Sequence, residues 1–183
     1  MLELCEYVCD VGGAYSAKIK RFDHHQVGYR GNLSSAGMVL KYLKEQQLID
    51  SAFYDYLNRS LILGVDAHDN GLAKMEIGFC SFSQVVSNYV KIELTSSKQE
   101  IDIGFQEALS FVISHLRRLQ QRYSYTLCCR EKVKEAMAKD MLYLEFAEPI
   151  PWMENYFLLG GEAHPAIFVI MPTGEHWILR GIP

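Results

Sequence analysis

Two short apolar runs near the start of the chain predict two strands of a sheet. Residues 7–10 end in an aspartate that is followed by two glycines, which is typical of a buried strand that stops at a loop. A second strand is predicted at about residues 19–22, and it also ends in polar residues. Because ligand sites of open α/β sheets lie at the carboxyl edge of the strands, the residues after both runs are candidates for function.

Helical periodicity follows these strands. A serine cap at residues 34–35 opens a helix whose apolar positions continue to about Glu45. Asp50 or Ser51 caps a further helix, in which apolar residues recur at three-and-four spacing until Asp66. The first half of the chain therefore predicts short strands followed by two amphipathic helices.

The second half of the chain predicts helices followed by strands. A long amphipathic helix begins at about residue 102, and a shorter helix is predicted at residues 130–138. Strand-like runs are predicted at residues 141–146, 166–171 and 176–180. The sequence Pro-Thr-Gly-Glu between the last two runs predicts a hairpin turn.

The polar residues 95–99 predict a linker or a long loop, so we expect a boundary between residues 73 and 99. No internal repeat and no low-complexity segment is found, which argues against a solenoid. We predict an α/β fold, with a parallel-sheet domain over residues 1–90 and a smaller α+β domain over residues 100–183.

Composition places the chain among globular proteins. Its 183 residues are 49% hydrophobic and carry a formal charge of −4, with a pI near 5.9. This balance argues against a generally basic surface for nucleic acid. Arg117 and Arg118 on the long predicted helix can still contact phosphates, although a solvated helix face has the same composition.

Cysteine usage and the start of the chain indicate the compartment. The five cysteines are odd in number and include the adjacent Cys128 and Cys129, which is poor material for a disulfide framework. Acidic residues occupy the first positions, where a signal peptide needs a basic flank, and no run of about 18 apolar residues occurs. We therefore expect a soluble cytoplasmic protein with no membrane partner.

Three clusters of acids and imidazoles carry the candidate chemistry. The first is Asp10 before its two glycines, the second is Asp-His-His at residues 23–25, and the third is Asp-Ala-His-Asp-Asn-Gly at residues 66–71. Carboxylates and imidazoles bind divalent ions that activate water against phosphate esters. Each cluster alone is also typical of a turn or a polar surface, but the three together favour a metal site.

The second and third clusters each contain more than one candidate metal ligand. Side chains alternate between the faces of a strand, so residues 23–25 are not expected to point together. One histidine can bind metal while the other faces substrate, and Asp23 can fix a ring nitrogen. One of Asp66 and Asp69 is expected to be a turn residue, and we prefer Asp66 as the ligand because the apolar residues 61–65 would hold it rigidly.

These clusters, taken in order with Leu-Ser-Ser-Ala-Gly at residues 33–37 and Pro-Trp at residues 151–152, resemble the melanocyte-proliferating-gene family, a branch of the DHH phosphoesterases related to RecJ exonucleases. The resemblance covers nearly the whole chain. It implies a DHH-type domain and a hydrolase that cleaves phosphodiester bonds. The activity it implies is that of a 3′-5′ exonuclease on RNA or short oligonucleotides.

The same resemblance implies two Mn²⁺ or Mg²⁺ ions and roles for several residues of the clusters. The implied metal ligands are Asp10, His24 and Asp66. The implied catalytic residue is His25, which contacts the substrate phosphate. The implied supporting acids, which contact the ligands and not the ions, are Asp23 and Asp69. The candidates for further substrate contact are Arg117 and Arg118.

The family begins with a His-Asn-Gly-x-Phe-His-x-Asp-Glu segment that supplies further ligands, and residues 1–8 contain no counterpart. We therefore expect a truncated domain that binds metal weakly. Two functions stay open, a phosphodiesterase impaired by truncation and a non-catalytic interaction or structural protein that retains the fold. An incomplete sheet would expose an edge strand, and we expect a second copy of the chain to cover it in a homodimer.

Overall fold

The computed structural model describes residues 2–74, 76–91 and 95–183, which pack as two units, Met1–His115 and Leu116–Pro183. Its helices are α1 (Ser35–Glu45), α2 (Ser51–Leu57), α3 (Leu63–Asp69), α4 (Phe82–Ser87), α5 (Lys98–Cys128), α6 (Arg130–Met137) and α7 (Met153–Leu158). Its strands are β1 (Val8–Cys9), β2 (Tyr15–Ser16), β3 (Arg21–Phe22), β4 (Tyr143–Glu145), β5 (Phe168–Thr173) and β6 (His176–Gly181). The α/β class is confirmed. None of the described helices combines the length and the apolar character that crossing a membrane requires.

The sheet of the first unit has the strand order β1-β3-β2. The pair β1–β3 is parallel, with Cys9 opposite Phe22, so both strands end at the same edge. The pair β2–β3 is antiparallel and was not predicted, because a two-residue strand shows no periodicity. The second strand also starts later than predicted, since Ala17–Ile19 form a 3₁₀ turn and Lys20 is left-handed with φ of 55°.

The helix caps of the first unit follow the prediction. The Ser34 hydroxyl accepts the Gly37 N–H at the start of α1, and the Asp50 carboxylate accepts the Phe53 N–H at the start of α2. The prediction that the second helix ends at Asp66 is wrong. A π-helical turn at Asn58–Ile62 connects α2 to α3, and α3 continues to Asp69.

A small core holds α1 against the sheet. Phe22 of β3 and Met38 of α1 are fully buried, and Tyr42 packs beside them, with its ring centroid 5.2 Å from that of Phe22. Because Phe22 is the last residue of β3, this packing brings the start of α1 close to the carboxyl edge of the sheet.

The polar residues predicted as a linker instead include the start of α5. The N–H and the hydroxyl of Ser97 both donate to the Glu100 carboxylate at 2.8 Å, which caps the helix. The packing units divide inside α5, between His115 and Leu116. The domain ranges 1–90 and 100–183 stay a prediction.

The second unit contains the sheet β4-β5-β6, in which β4–β5 is parallel and β5–β6 is the predicted hairpin. Gly174 adopts φ of 59° in its turn, which suits glycine. The core includes Trp152 and Tyr156, both almost fully buried. The buried Asn155 side chain donates to the Thr126 carbonyl at 2.6 Å and so connects α7 to the end of α5.

Candidate metal centre

A left-handed turn at the end of β1 positions the first candidate. Asp10 has φ of 62°, a conformation that aspartate tolerates better than most residues, and Gly12 and Gly13 also have positive φ. The turn directs the Gly13 N–H to the Asp23 carboxylate at 2.6 Å. Since β1 and β3 are parallel neighbours, the residues that follow them meet at one edge.

Four of the predicted residues come together at this edge. Within the described ranges, Asp10, Asp23, His24 and His25 each offer a ligand atom, and these atoms lie within 4.8 Å of one another. The two imidazole rings stack with centroids 4.2 Å apart. The expectation that residues 23–25 would not point together is wrong, because β3 ends at Phe22 and strand alternation no longer applies beyond it.

Asp23 is buried and forms hydrogen bonds with His25. Its carboxylate accepts the His25 backbone N–H at 3.0 Å and lies 2.7 Å from the His25 ring Nδ1. Burial alone would raise the pKa of Asp23, but the hydrogen bonds from the backbone of His25 and Gly13 and from the His25 ring lower it to about 2. The hydrogen bond to Asp23 in turn raises the pKa of His25.

His24 carries an unsatisfied nitrogen. Its side chain is 10% exposed, and its buried Nδ1 has no hydrogen-bond partner in the described part of the chain. This nitrogen lies 3.8 Å from an Asp10 carboxylate oxygen, too far for a hydrogen bond. Because buried polar atoms are normally paired, a nitrogen and an anionic oxygen arranged in this way fit a divalent cation.

Asp69 approaches the other side of the same ring. Its carboxylate lies 3.5 Å from His24 Nε2, within the range of an ion pair. A carboxylate on one ring nitrogen fixes the tautomer in which the other nitrogen can bind metal. Asp69 therefore lies beside the His24 ring, and its role as a supporting acid stays a prediction.

Asp66 has different surroundings. It is 4% exposed, and one carboxylate oxygen accepts the Ser34 N–H at 2.9 Å and the Ser34 hydroxyl at 2.6 Å. It is not among the described residues whose ligand atoms converge, and its role as a metal ligand stays a prediction.

The sequence did not predict that two serines contact acids of the candidate site. Ser34 and Ser35 were predicted as a helix cap, but Ser34 also binds Asp66, and the Ser35 hydroxyl donates to Asp10 at 3.1 Å. Two adjacent serines at a cap are the available signal, since one hydroxyl suffices for capping. Arg117 and Arg118 lie exposed on α5 in the second unit, and their contact with substrate stays a prediction.

Comparison with known proteins gives a family match over the full chain. Residues 1–183 match the MYG1 exonuclease model, described as an uncharacterised protein family (UPF0160). The MYG1 protein of Chlamydia pneumoniae is 50% identical over 183 residues, which cover 100% of this chain and 62% of the relative. The MYG1 exonuclease of Homo sapiens is 25% identical over 223 residues, which cover 100% of this chain and 59% of that protein.

The MYG1 protein of Chlamydia trachomatis is also 50% identical, over 182 residues. The chain spans about three fifths of the length of these curated relatives, between 59% and 62%. No solved structure matches the chain significantly.

Proposed function

Because this chain belongs to the MYG1 exonuclease family, as its sequence motifs indicated, we propose that it is a metal-dependent phosphodiesterase. The proposed reaction is 3′-5′ exonucleolytic cleavage of RNA or short oligonucleotides in the cytoplasm, with Mn²⁺ or Mg²⁺ as the ion. One observation carries the proposal: the buried His24 Nδ1 lies beside the Asp10 carboxylate and has no hydrogen-bond partner among the described residues. The human relative is named an exonuclease, which supports the reaction class.

Asp10 and His24 are the residues that would hold the ion. When bound there, a divalent ion would supply the charge that activates water and neutralises the phosphoryl oxygens. Ser35 restrains the Asp10 carboxylate by donating a hydrogen bond to it, and Asp69 restrains the His24 ring from its other nitrogen. These contacts hold both donor atoms in place although the Asp10 side chain is 61% exposed.

His25 is the residue proposed to contact the scissile phosphate. Its side chain is 60% exposed, so a substrate can reach it, while Asp23 anchors Nδ1. The raised pKa of His25 favours the imidazolium form, which donates a charge-assisted hydrogen bond to a phosphate oxygen. Because that bond strengthens as charge develops on the phosphoryl group, His25 would stabilise the transition state.

Arg117 and Arg118 are proposed as contacts for the phosphates of the nucleic acid. Both side chains are exposed on α5, and a guanidinium group matches the geometry of phosphate oxygens. We expect their replacement to raise KM with little change in kcat, since such contacts position the substrate without entering the reaction.

The test uses a short RNA labelled at its 5′ end and incubated with the purified chain and Mn²⁺. We expect a ladder of products shortened from the 3′ end, and we expect His24→Ala to lower the rate by at least about 100-fold. His176→Ala is the matched control, because His176 is an exposed histidine of β6, and it should retain the wild-type rate.

Two outcomes would remove the proposal. One is the absence of cleavage by a chain that binds Mn²⁺, which would favour the non-catalytic function. The other is cleavage that His24→Ala leaves unchanged, because the activity would then arise elsewhere or from a contaminant.

A further inference from the structure

We propose that Asp66 is a positioning residue, which acts through Ser34 and the start of α1 to hold the Asp10 carboxylate in place. The inference rests on the proposed function, since it concerns the same site. It reassigns the acid that the sequence favoured as a metal ligand. It also gives the paired serines a function beyond capping.

The first step is that the Asp66 carboxylate already accepts hydrogen bonds from protein groups. It is buried, and one of its oxygens accepts both donors of Ser34. It also lies directly over Gly37, where an added Cβ would stand 2.5 Å from each carboxylate oxygen. Two hydrogen bonds therefore hold one oxygen of this acid in place without an ion.

The second step connects Ser34 to the metal centre. Ser34 is the N-cap of α1, so a fixed Ser34 fixes the first turn of that helix. The next residue, Ser35, is buried and donates its hydroxyl to the Asp10 carboxylate. Because Asp10 is mostly exposed, this hydrogen bond is a principal restraint on its rotamer.

A third contact tightens the same junction. The Asn70 side chain donates to the Asn32 carbonyl at 3.1 Å and to the Asp66 carbonyl at 2.8 Å. The end of α3 is thereby bound to the segment that leads into α1. Because α3 also positions Asp69 beside His24, this contact between the end of α3 and the segment before α1 positions both acids that flank the His24 ring, Asp10 and Asp69.

Titration calorimetry of the full chain with Mn²⁺ separates a positioning residue from a ligand. Asp66→Asn retains an oxygen that accepts from Ser34, so its Mn²⁺ affinity should stay within about threefold of wild type. Asp66→Ala leaves both Ser34 donors unpaired, and its affinity should fall about 10- to 100-fold. Asp10→Asn, which removes charge from a proposed ligand, should lose at least as much.

Asp50→Ala is the matched control for loss of stability alone. Asp50 also accepts a backbone N–H as a helix cap, but its partner is in α2. This variant should lower Tm and leave Mn²⁺ affinity unchanged. If Asp66→Ala fails to fold, Ser35→Ala tests the same connection, because it retains the Asp66–Ser34 pair and should weaken Mn²⁺ binding about tenfold.

The inference is overturned if Asp66→Asn weakens Mn²⁺ binding as strongly as Asp10→Asn, which would make Asp66 a ligand. It is also overturned if both Asp66→Ala and Ser35→Ala bind Mn²⁺ like the wild type. Binding is measured without RNA, so a chain that binds Mn²⁺ but cleaves nothing contradicts the proposed function and not this inference. A wild-type chain that binds no Mn²⁺ contradicts both.

Discussion

The ionisation of single residues determines what the candidate metal centre can do. Asp23 is a buried acid that stays charged because two backbone N–H groups and the His25 ring donate to it. The charge on Asp23 then orients His25 and favours its protonated form. The two residues therefore behave as a unit, and their effect on stability should depend on pH.

We predict that Asp23→Asn changes the acid dependence of stability. Folding lowers the pKa of Asp23 from 3.8 to about 2, so its contribution is present above pH 3.8 and is lost as pH falls through about 2. The difference in unfolding free energy between wild type and Asp23→Asn should therefore shrink over this window. Urea unfolding with EDTA at several pH values measures it.

The exposed acid Asp102 provides the control, since Asp102→Asn should follow the wild-type curve. His25 has the opposite sign, because its raised pKa gives stability that is present below pH 6.5 and is lost as pH rises through the folded pKa. A stability difference for Asp23→Asn that stays constant down to pH 2 would show that Asp23 is not paired as described.

The residues of the candidate site were easier to predict from the sequence than the contacts between them. Asp10, His24 and His25 were recognisable from residue type and from their position after short apolar runs. Their convergence depends on where β3 ends, which propensity does not determine to within a residue. The contact of Ser35 with Asp10 spans 25 residues and that of Asp66 with Ser34 spans 32, so local patterns carry no information about either.

Among the elements, α1 and α3 depend on a close approach at one glycine. Gly37 lies in α1 beneath the Asp66 carboxylate of α3, with no space for a side chain. The sequence predicted α1 from its cap and apolar face, and it predicted one continuous helix up to Asp66 where the structure has α2, a π-helical turn and α3. It could not predict this contact, because the π-helical turn at Asn58–Ile62 shifts the phase of α3 relative to α2.

We predict opposite effects of alanine at two helical glycines. Gly37→Ala should destabilise the chain by about 1–3 kcal/mol, because its Cβ would displace a buried and hydrogen-bonded carboxylate. The added Cβ of Gly64→Ala in α3 meets no atom of the described residues within 4 Å, so this variant should stabilise the chain by about 0.4–1 kcal/mol through lower unfolded-state entropy. Urea unfolding of both variants measures the two effects.

The Gly64 variant controls for the helix propensity of alanine, which favours both substitutions equally. If Gly37→Ala were as stable as Gly64→Ala, the close packing of Asp66 on α1 would be contradicted. The double variant Gly37→Ala with Asp66→Ala should lose less stability than the sum of the two single variants, since removal of the carboxylate makes space for the new methyl group. Such a result would support that packing.

In the second unit, local chemistry predicted some elements and not others. The hairpin β5–β6 was predictable because Gly174 supplies the positive φ that its turn requires. The six-residue α7 was missed, since so short a helix shows little periodicity. Its position depends on buried Trp152 and Asn155, which act through tertiary contacts.

The predicted assembly of the whole molecule depends on the edge of the first sheet. β1 lies at the edge of the order β1-β3-β2. The N–H groups of Val8 and Asp10 donate to the carbonyls of Lys20 and Phe22, so the N–H of Cys9 between them points away from the sheet. Outward backbone groups on an edge strand are a template for pairing with another chain.

We predict a homodimer that pairs through β1, with twice the 21.0 kDa mass of one chain in light scattering. Cys9→Pro removes the outward N–H and keeps both bonds to Lys20 and Phe22, so it should shift the protein to the monomer. Cys9→Ser keeps the backbone donor and should remain dimeric, which separates loss of the N–H from loss of the thiol. A wild-type monomer at every concentration, or a dimer of Cys9→Pro, would exclude pairing through this strand.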